Sequence, residues 1–172
     1  MNSALITAAA CLLALASCQS TTQSSVDADP ELRKSLFDAV ASLEGRWEGA
    51  TPDGSSGYTT FEVTSNSSVI RECMLVGTPN EMTNMYTLDG NDLVMVHYCA
   101  MGNQPKMRAA AAEDGTIAFA FDSVADLGAP DEVYMGEMTL VILDENRIEQ
   151  RWRAFKGDAL ENEMTIEMKR VE

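Results

Sequence analysis

Arg147-Ile-Glu-Gln-Arg-Trp-Arg-Ala-Phe-Lys156 alternates residue by residue. In an extended chain Ile148, Gln150, Trp152 and Ala154 fall on one side, and Arg147, Glu149, Arg151 and Arg153 fall on the other. Period two is the mark of a strand with one buried and one wet face. The same alternation runs through the neighbouring segments, with Ile117, Phe119 and Phe121, then Met138, Leu140 and Ile142, then Met164, Ile166 and Met168 on the apolar side. Glu167 and Lys169 take the opposite side of the last segment. These segments share one interior.

Working outward, the chain after Gly45 is cut by turn residues every 8 to 12 positions or so, the spacing of short antiparallel strands. The pattern predicts ten strands, near 46–52, 57–64, 68–76, 82–89, 92–99, 105–112, 116–122, 134–143, 147–156 and 161–170. Asp53-Gly54, Ser65-Asn66-Ser67, Asp89-Gly90-Asn91, Asp114-Gly115 and Gly157-Asp158 supply hairpin chemistry. A meander of that length either exposes two edges or closes on itself, and closure removes the edges. The expected fold is an all-β, up-and-down antiparallel β-barrel of about ten strands. One short helix precedes it, with Asp29 as N-cap, Pro30 at its first position and Leu32, Leu36, Val40 and Leu43 on one face. The longest connection, Ser123 to Val133, is either a lid over a barrel mouth or a plain surface loop.

The 172 residues allow one domain. Twelve Lys plus Arg against 27 Asp plus Glu leave a net charge of -15, which argues against nucleic acid or anionic lipid as a partner. Hydrophobic residues make up 45%, so the chain can bury a core.

The N-terminal segment gives an address. Ala4 to Ala16 is an uncharged apolar run of about a dozen residues, too short to cross a bilayer and suited to a signal-peptide core. It ends in Leu15-Ala16-Ser17-Cys18, which resembles the lipobox of bacterial lipoproteins. That resemblance implies a signal peptide over 1–17 and a Cys18 that is acylated and becomes the new N-terminus. A polar, lipidated tether over 18–28 then leads to a barrel domain over 29–172. Gln19 stands where an Asp would resemble an inner-membrane retention signal, so the resemblance implies outer-membrane anchoring, facing the periplasm. Contact with the membrane is expected through the lipid anchor only. Within the domain only Cys73 and Cys99 remain. A bridge is allowed in that compartment, yet a third strand is expected between them, and two strand spacings of about 10 Å exceed the reach of a disulfide.

Gly45-Arg46-Trp47 heads the first strand and resembles the G-x-W element of lipocalins and related calycins. In the last strand Arg170 shares the face of Met164, Ile166 and Met168, and the resemblance implies that it stacks on Trp47 to close the barrel end. Trp47-Glu48-Gly49 and the ten-strand count look more like the fatty-acid-binding and nitrobindin-like calycins and the uncharacterised bacterial lipocalin-like proteins. The C-terminal histidine that holds haem in nitrobindins has no counterpart, since His97 is the single His.

The densest polar constellation runs from His97 through Tyr98, Cys99, Asn103 and Gln104 to Met107 and Arg108, and this block also resembles one in uncharacterised bacterial lipocalin-like proteins. His97, Cys99 and Met107 are expected to converge near one rim, with the Asn103 and Gln104 amides beside them. Two readings stand: a polar anchor for a ligand head group, or a buried histidine hydrogen-bonded to loop backbone. Trp47, Tyr86, Gln150 and Trp152 complete the expected lining. The strand around Arg71 and Glu72 is apolar on both faces, so one of these two charges must point inward and find a partner: Glu72 with an inward Arg is the natural pair, and the alternative is Arg71 receiving a ligand carboxylate. Met82-x-x-Met85 and Met135-x-x-Met138 point to opposite faces of their strands, which favours methionine as adaptable lining over a thioether metal clamp. One imidazole and two distant thiols make a poor metal set. Haem through His97 with a methionine opposite is chemically allowed.

The expected function is therefore a lipid-anchored periplasmic barrel that binds a small, largely apolar or amphipathic ligand. The alternatives are a structural or partner-binding envelope lipoprotein with a packed barrel, and a small isomerase or hydrolase that uses His97. No catalytic residue is assigned, because a single histidine allows at most one Ser/His or Cys/His pair and no glycine-rich phosphate loop or nucleophile elbow is present. Mass spectrometry of the protein purified from its own cells should find Cys18 at the N-terminus and acylated; an unmodified Cys18 would remove the lipoprotein reading.

Overall fold

A computed structural model of the chain describes residues 27–50, 54 and 56–171. The expected signal peptide, Cys18 and most of the tether lie outside the described residues. The first described element is helix α1 (Pro30–Ala41), whose start is capped by Asp29 accepting from the Glu31 and Leu32 amides. Leu36 and Val40 form its buried side, and Leu43, just past its end, is buried as well.

Eleven strands follow. They are β1 (Gly45–Ala50), β2 (Ser56–Thr64), β3 (Val69–Met74), β4 (Met82–Asp89), β5 (Asp92–Tyr98), β6 (Gln104–Ala109), β7 (Ala112–Glu113), β8 (Thr116–Ala125), β9 (Val133–Asp144), β10 (Arg147–Lys156) and β11 (Ala159–Arg170). All pairings are antiparallel between chain neighbours, except that β1 pairs with β11 and β6 pairs with β8. Those two exceptions turn the meander into a ring. With the two-residue β7 set aside as a stub on β8, ten strands close the barrel. The expected all-β, up-and-down barrel with one short helix is the fold.

The ring has a helix end and a loop end. Residues 42–44, 65–68, 90–91, 110–115 and 145–146 turn at the helix end, where α1 lies across the barrel. Arg33 donates to the Gly90 carbonyl, and the Asp29 amide donates to Asn91 Oδ1. Connections 75–81, 99–103, 126–132 and 157–158 lie at the loop end.

The helix end is sealed by Trp47 and Arg170. The two are register partners, and the guanidinium lies 4.3 Å from the indole centroid. Arg170 also donates to three carbonyls, Ser42 (2.9 Å), Glu44 (2.6 Å) and Glu145 (2.9 Å), so one side chain ties the helix exit, β1 and the β9–β10 turn together. Trp47 is fully buried and gives its own N–H to the Leu43 carbonyl. Gly45, at φ 129°, makes the bend from α1 into β1 in a region that a side chain would strain.

Three expectations need correction. Phe121 is not part of the packed interior: although it is the register partner of the buried Met107, its ring is 45% exposed and lies 5.1 Å from Tyr134. The sixth strand stops at Ala109, short of the expected 112, and of the alanines at 109–112 only Ala109 is buried. The connection after β8 is shorter than the expected span, because pairing extends to Ala125 and resumes at Val133. Cys73 and Cys99 are both free thiols, with β4 between the strand of one and the strand preceding the other.

Arg170→Ala removes the ring contact and three hydrogen bonds at once. It should lower stability by about 2 kcal/mol, and Arg170→Lys should recover only part of this because a lysine lacks the planar fork. Chemical denaturation of the three proteins checks this, and an unchanged midpoint for Arg170→Ala would remove the seal from the account.

Candidate functional site

The two faces of β3 are sorted by what lies beside them. Ile70, Glu72 and Met74 point inward and are buried. Arg71 points outward and pairs with Glu62, its register partner on β2. Of the two charges that the sequence left open, the carboxylate is inside.

Glu72 is fully buried and has no cationic partner in its hydrogen-bond set, so the expected pairing with an inward Arg is not formed. Three neutral donors reach it instead. Tyr86 donates its hydroxyl to Oε2 at 2.6 Å, Asn84 donates to the same oxygen at 2.7 Å, and Gln150 donates to Oε1 at 2.7 Å. Asn84 and Tyr86 stand two apart on β4, while Gln150 comes from β10 across the interior. Burial pushes the Glu72 carboxyl up from the ordinary range, and the bonds from Tyr86, Asn84 and Gln150 act against that shift. Burial, and next the charge of Glu72, also push Tyr86 well above 10.0, so the phenol keeps the proton it donates.

The network has a direction. Trp152 Nε1–H can only donate, and it donates to Gln150 Oε1 at 3.2 Å. That turns the Gln150 amide so that its NH2 faces Glu72. The Asn84 NH2 likewise faces Glu72, and its Oδ1 is left to His97 Nδ1 at 2.6 Å. Oxygen accepts there, so His97 carries its proton on Nδ1 and Nε2 is a bare lone pair.

That lone pair has no partner. His97 is 1% exposed, and Nε2 is one of two buried side-chain polar atoms among the described residues without a hydrogen bond. The ring lies 4.9 Å from the Trp152 ring, centroid to centroid. An unsatisfied buried acceptor costs about 1–3 kcal/mol. The second is Asn103 Oδ1. Asn103 spends both amide protons, one on Glu132 Oε1 and one on the Val133 carbonyl, each at 2.9 Å. It thereby tethers the 126–132 connection to the loop that follows β5.

The expected constellation is thus regrouped. Tyr86, His97, Gln150 and Trp152 meet in one network around Glu72. Met107 is buried and pairs with Met95, two positions nearer the helix end than His97. The Cys99 amide binds the Asn103 carbonyl, and Gln104 turns its amide to the Gly102 carbonyl. Trp47 sits at the sealed helix end and makes none of the network's hydrogen bonds. The member missed from sequence is Asn84. Its signal was present, since Asn84 shares the strand face of Tyr86, but a single amide in an alternating strand carries no chemistry until its neighbours are known.

Among the described residues no group of three or more His, Cys, Asp or Glu side chains converges as a metal site. His97 has the tautomer an axial haem ligand needs, but Nε2 is enclosed and its ring packs against Trp152, so a rigid macrocycle does not fit the residues as they are arranged. No protein-family model matches the chain, and no curated protein matches it.

Enclosure lowers the pKa of His97 from 6.5 to about 4. Between these values the unfolded chain binds a proton that the folded one refuses. His97 therefore contributes stability in full above pH 6.5 and loses it as pH falls toward 4. The raised Glu72 carboxyl acts in the other direction, weakening the fold as pH rises above 4.5, and it is common to wild type and a His97 variant. Denaturation of wild type and His97→Phe should show the wild-type advantage shrinking by about 3 kcal/mol across that window as pH falls. A pH-independent difference would mean that His97 does not titrate there.

Proposed function

We propose that this protein is a calycin-type envelope lipoprotein, anchored through Cys18 to the outer membrane and facing the periplasm, whose barrel binds a small, largely apolar molecule. The observation that carries the reading is the bare His97 Nε2, a polar atom held in one orientation inside an apolar barrel and left without a partner. A core built only for stability gains nothing from an oriented acceptor that it leaves unpaired.

The company of that atom supports the reading. Met74, Met95, Met107, Met138 and Met168 are all buried in the core. Methionine has a flexible, unbranched chain and repacks around different shapes more readily than leucine or isoleucine. Such a lining closes over His97 when nothing is bound and withdraws when a ligand enters. The loop end is the natural access, since α1, Trp47 and Arg170 occupy the other. The lipobox resemblance supports the address, and the Gly45-Arg46-Trp47 element with Arg170 supports the calycin assignment.

A second reading, a packed barrel with a structural or partner-binding role, is favoured by the enclosure of the interior, where Tyr86, Glu72, Asn84 and Gln150 are fully buried. Native mass spectrometry of the protein isolated from its own envelope separates the two. The expected result is a co-purifying small molecule that is lost or depleted in His97→Phe. A barrel that is empty from its own cells, and indifferent to added apolar compounds, would make it a structural protein.

A further inference from the structure

The two unpaired polar atoms buried among the described residues are of one kind. His97 Nε2 is an acceptor because its partner nitrogen gives its proton to Asn84 Oδ1. Asn103 Oδ1 is an acceptor because both protons of its amide are spent on acceptors, a carboxylate and a carbonyl. No buried side-chain donor atom among the described residues is left unpaired. Both atoms belong to one stretch of chain, on β5 and in the loop that follows it at the loop end.

The charges of the interior point the same way. Glu72 is the one carboxylic acid among the buried side chains described, and no Lys or Arg is among them. The inward Arg170 is committed to three carbonyls and the Trp47 ring at the sealed end. An anion entering from the loop end meets lone pairs and a carboxylate, with no buried cation to pair with, and burying an unpaired charge is costly. An ammonium would have to give up its water for a carboxylate that already holds three donors.

We infer that the ligand is uncharged and carries a hydroxyl or N–H group that donates to His97 Nε2: an alcohol or phenol type of molecule on an apolar frame, not a fatty-acid carboxylate. This rests on the reading of the barrel as a binding protein and narrows it to one class of ligand. The chain from Trp152 through Gln150, Glu72 and Asn84 to His97 is what selects that class. Each member orients the next, so the neutral ring presents its last nitrogen as an acceptor, and that nitrogen becomes a donor only by taking up a second proton or by breaking the Asn84 bond. The selection is by hydrogen-bond polarity, and its cost to a mismatched ligand is an acceptor facing an acceptor.

The single histidine makes the test direct. In the full chain labelled with 15N-histidine, the one Nε2 resonance reports whether a proton is donated to it. The probes are decan-1-ol, its methyl ether, decanoate and decylamine, added to the protein in lipid nanodiscs at neutral pH, with binding followed separately by calorimetry. Decan-1-ol should bind and move the Nε2 resonance upfield. The ether, which has the same apolar chain without the donor, should bind about tenfold more weakly and leave Nε2 in place. His97→Phe should reduce alcohol binding to the level of the ether.

Equal affinity for alcohol and ether, tighter binding of decanoate or decylamine, or alcohol binding without a change at Nε2 would each overturn the inference while leaving the barrel a binding protein. Failure of every probe, together with no molecule co-purifying from native envelope, would remove the binding reading and this inference with it. The alcohol–ether comparison uses the unaltered protein, so it stands even if the His97 variant folds poorly.

Discussion

Glu72 is fully buried with no counter-charge, and the interior is arranged to tolerate it. A carboxylate in that position needs donors, and the barrel supplies them from opposite walls: Tyr86 and Asn84 from β4, next door, and Gln150 from β10, on the far side of the ring from β3. The bond from Gln150 joins residues 78 positions apart in the chain. Removing the carboxylate would strand three donors, and removing any donor would leave the charge less satisfied, so the polar residues of the interior stand or fall together.

From that carboxylate the order spreads outward. Its two oxygens force the amides of Gln150 and Asn84 to present NH2, which leaves their carbonyl oxygens for Trp152 and His97. The tautomer of His97 is thus decided through Asn84 by a carboxylate that His97 does not touch. The two ends of the barrel divide the remaining work. At the helix end α1, Trp47 and Arg170 make a seal held by hydrogen bonds to backbone. At the loop end the 126–132 connection is held by Asn103, and Val76, Met101 and Leu160 are exposed nearby, each in or beside a loop-end connection.

Strand alternation was legible where a strand has one buried and one solvated face, and a run such as Arg147 to Lys156 states its own orientation. The helix was legible from Asp29, Pro30 and the spacing of Leu36, Val40 and Leu43, which are local features. Misreadings fell where local pattern is silent. β3 is apolar on both faces, so only the pairing of Arg71 with Glu62 on its neighbour orients Glu72. Phe121 keeps the alternation of its strand and pairs with the buried Met107, yet it stands exposed beside Tyr134 near the loop end, where the strand runs past the packed core.

The sequence by itself determined the ring of antiparallel strands, the helix before it, the inward apolar face and the candidates Tyr86, His97, Gln150 and Trp152, because period-two patterning and turn chemistry act over a few residues. Only the tertiary structure decided that these four belong to one network, that Glu72 and not Arg71 faces in, and that Asn84 is the link to His97. Closing the barrel brings β3 and β4 opposite β10, and which hydrogen of a side chain meets which lone pair depends on that closure. No spacing along the chain records it.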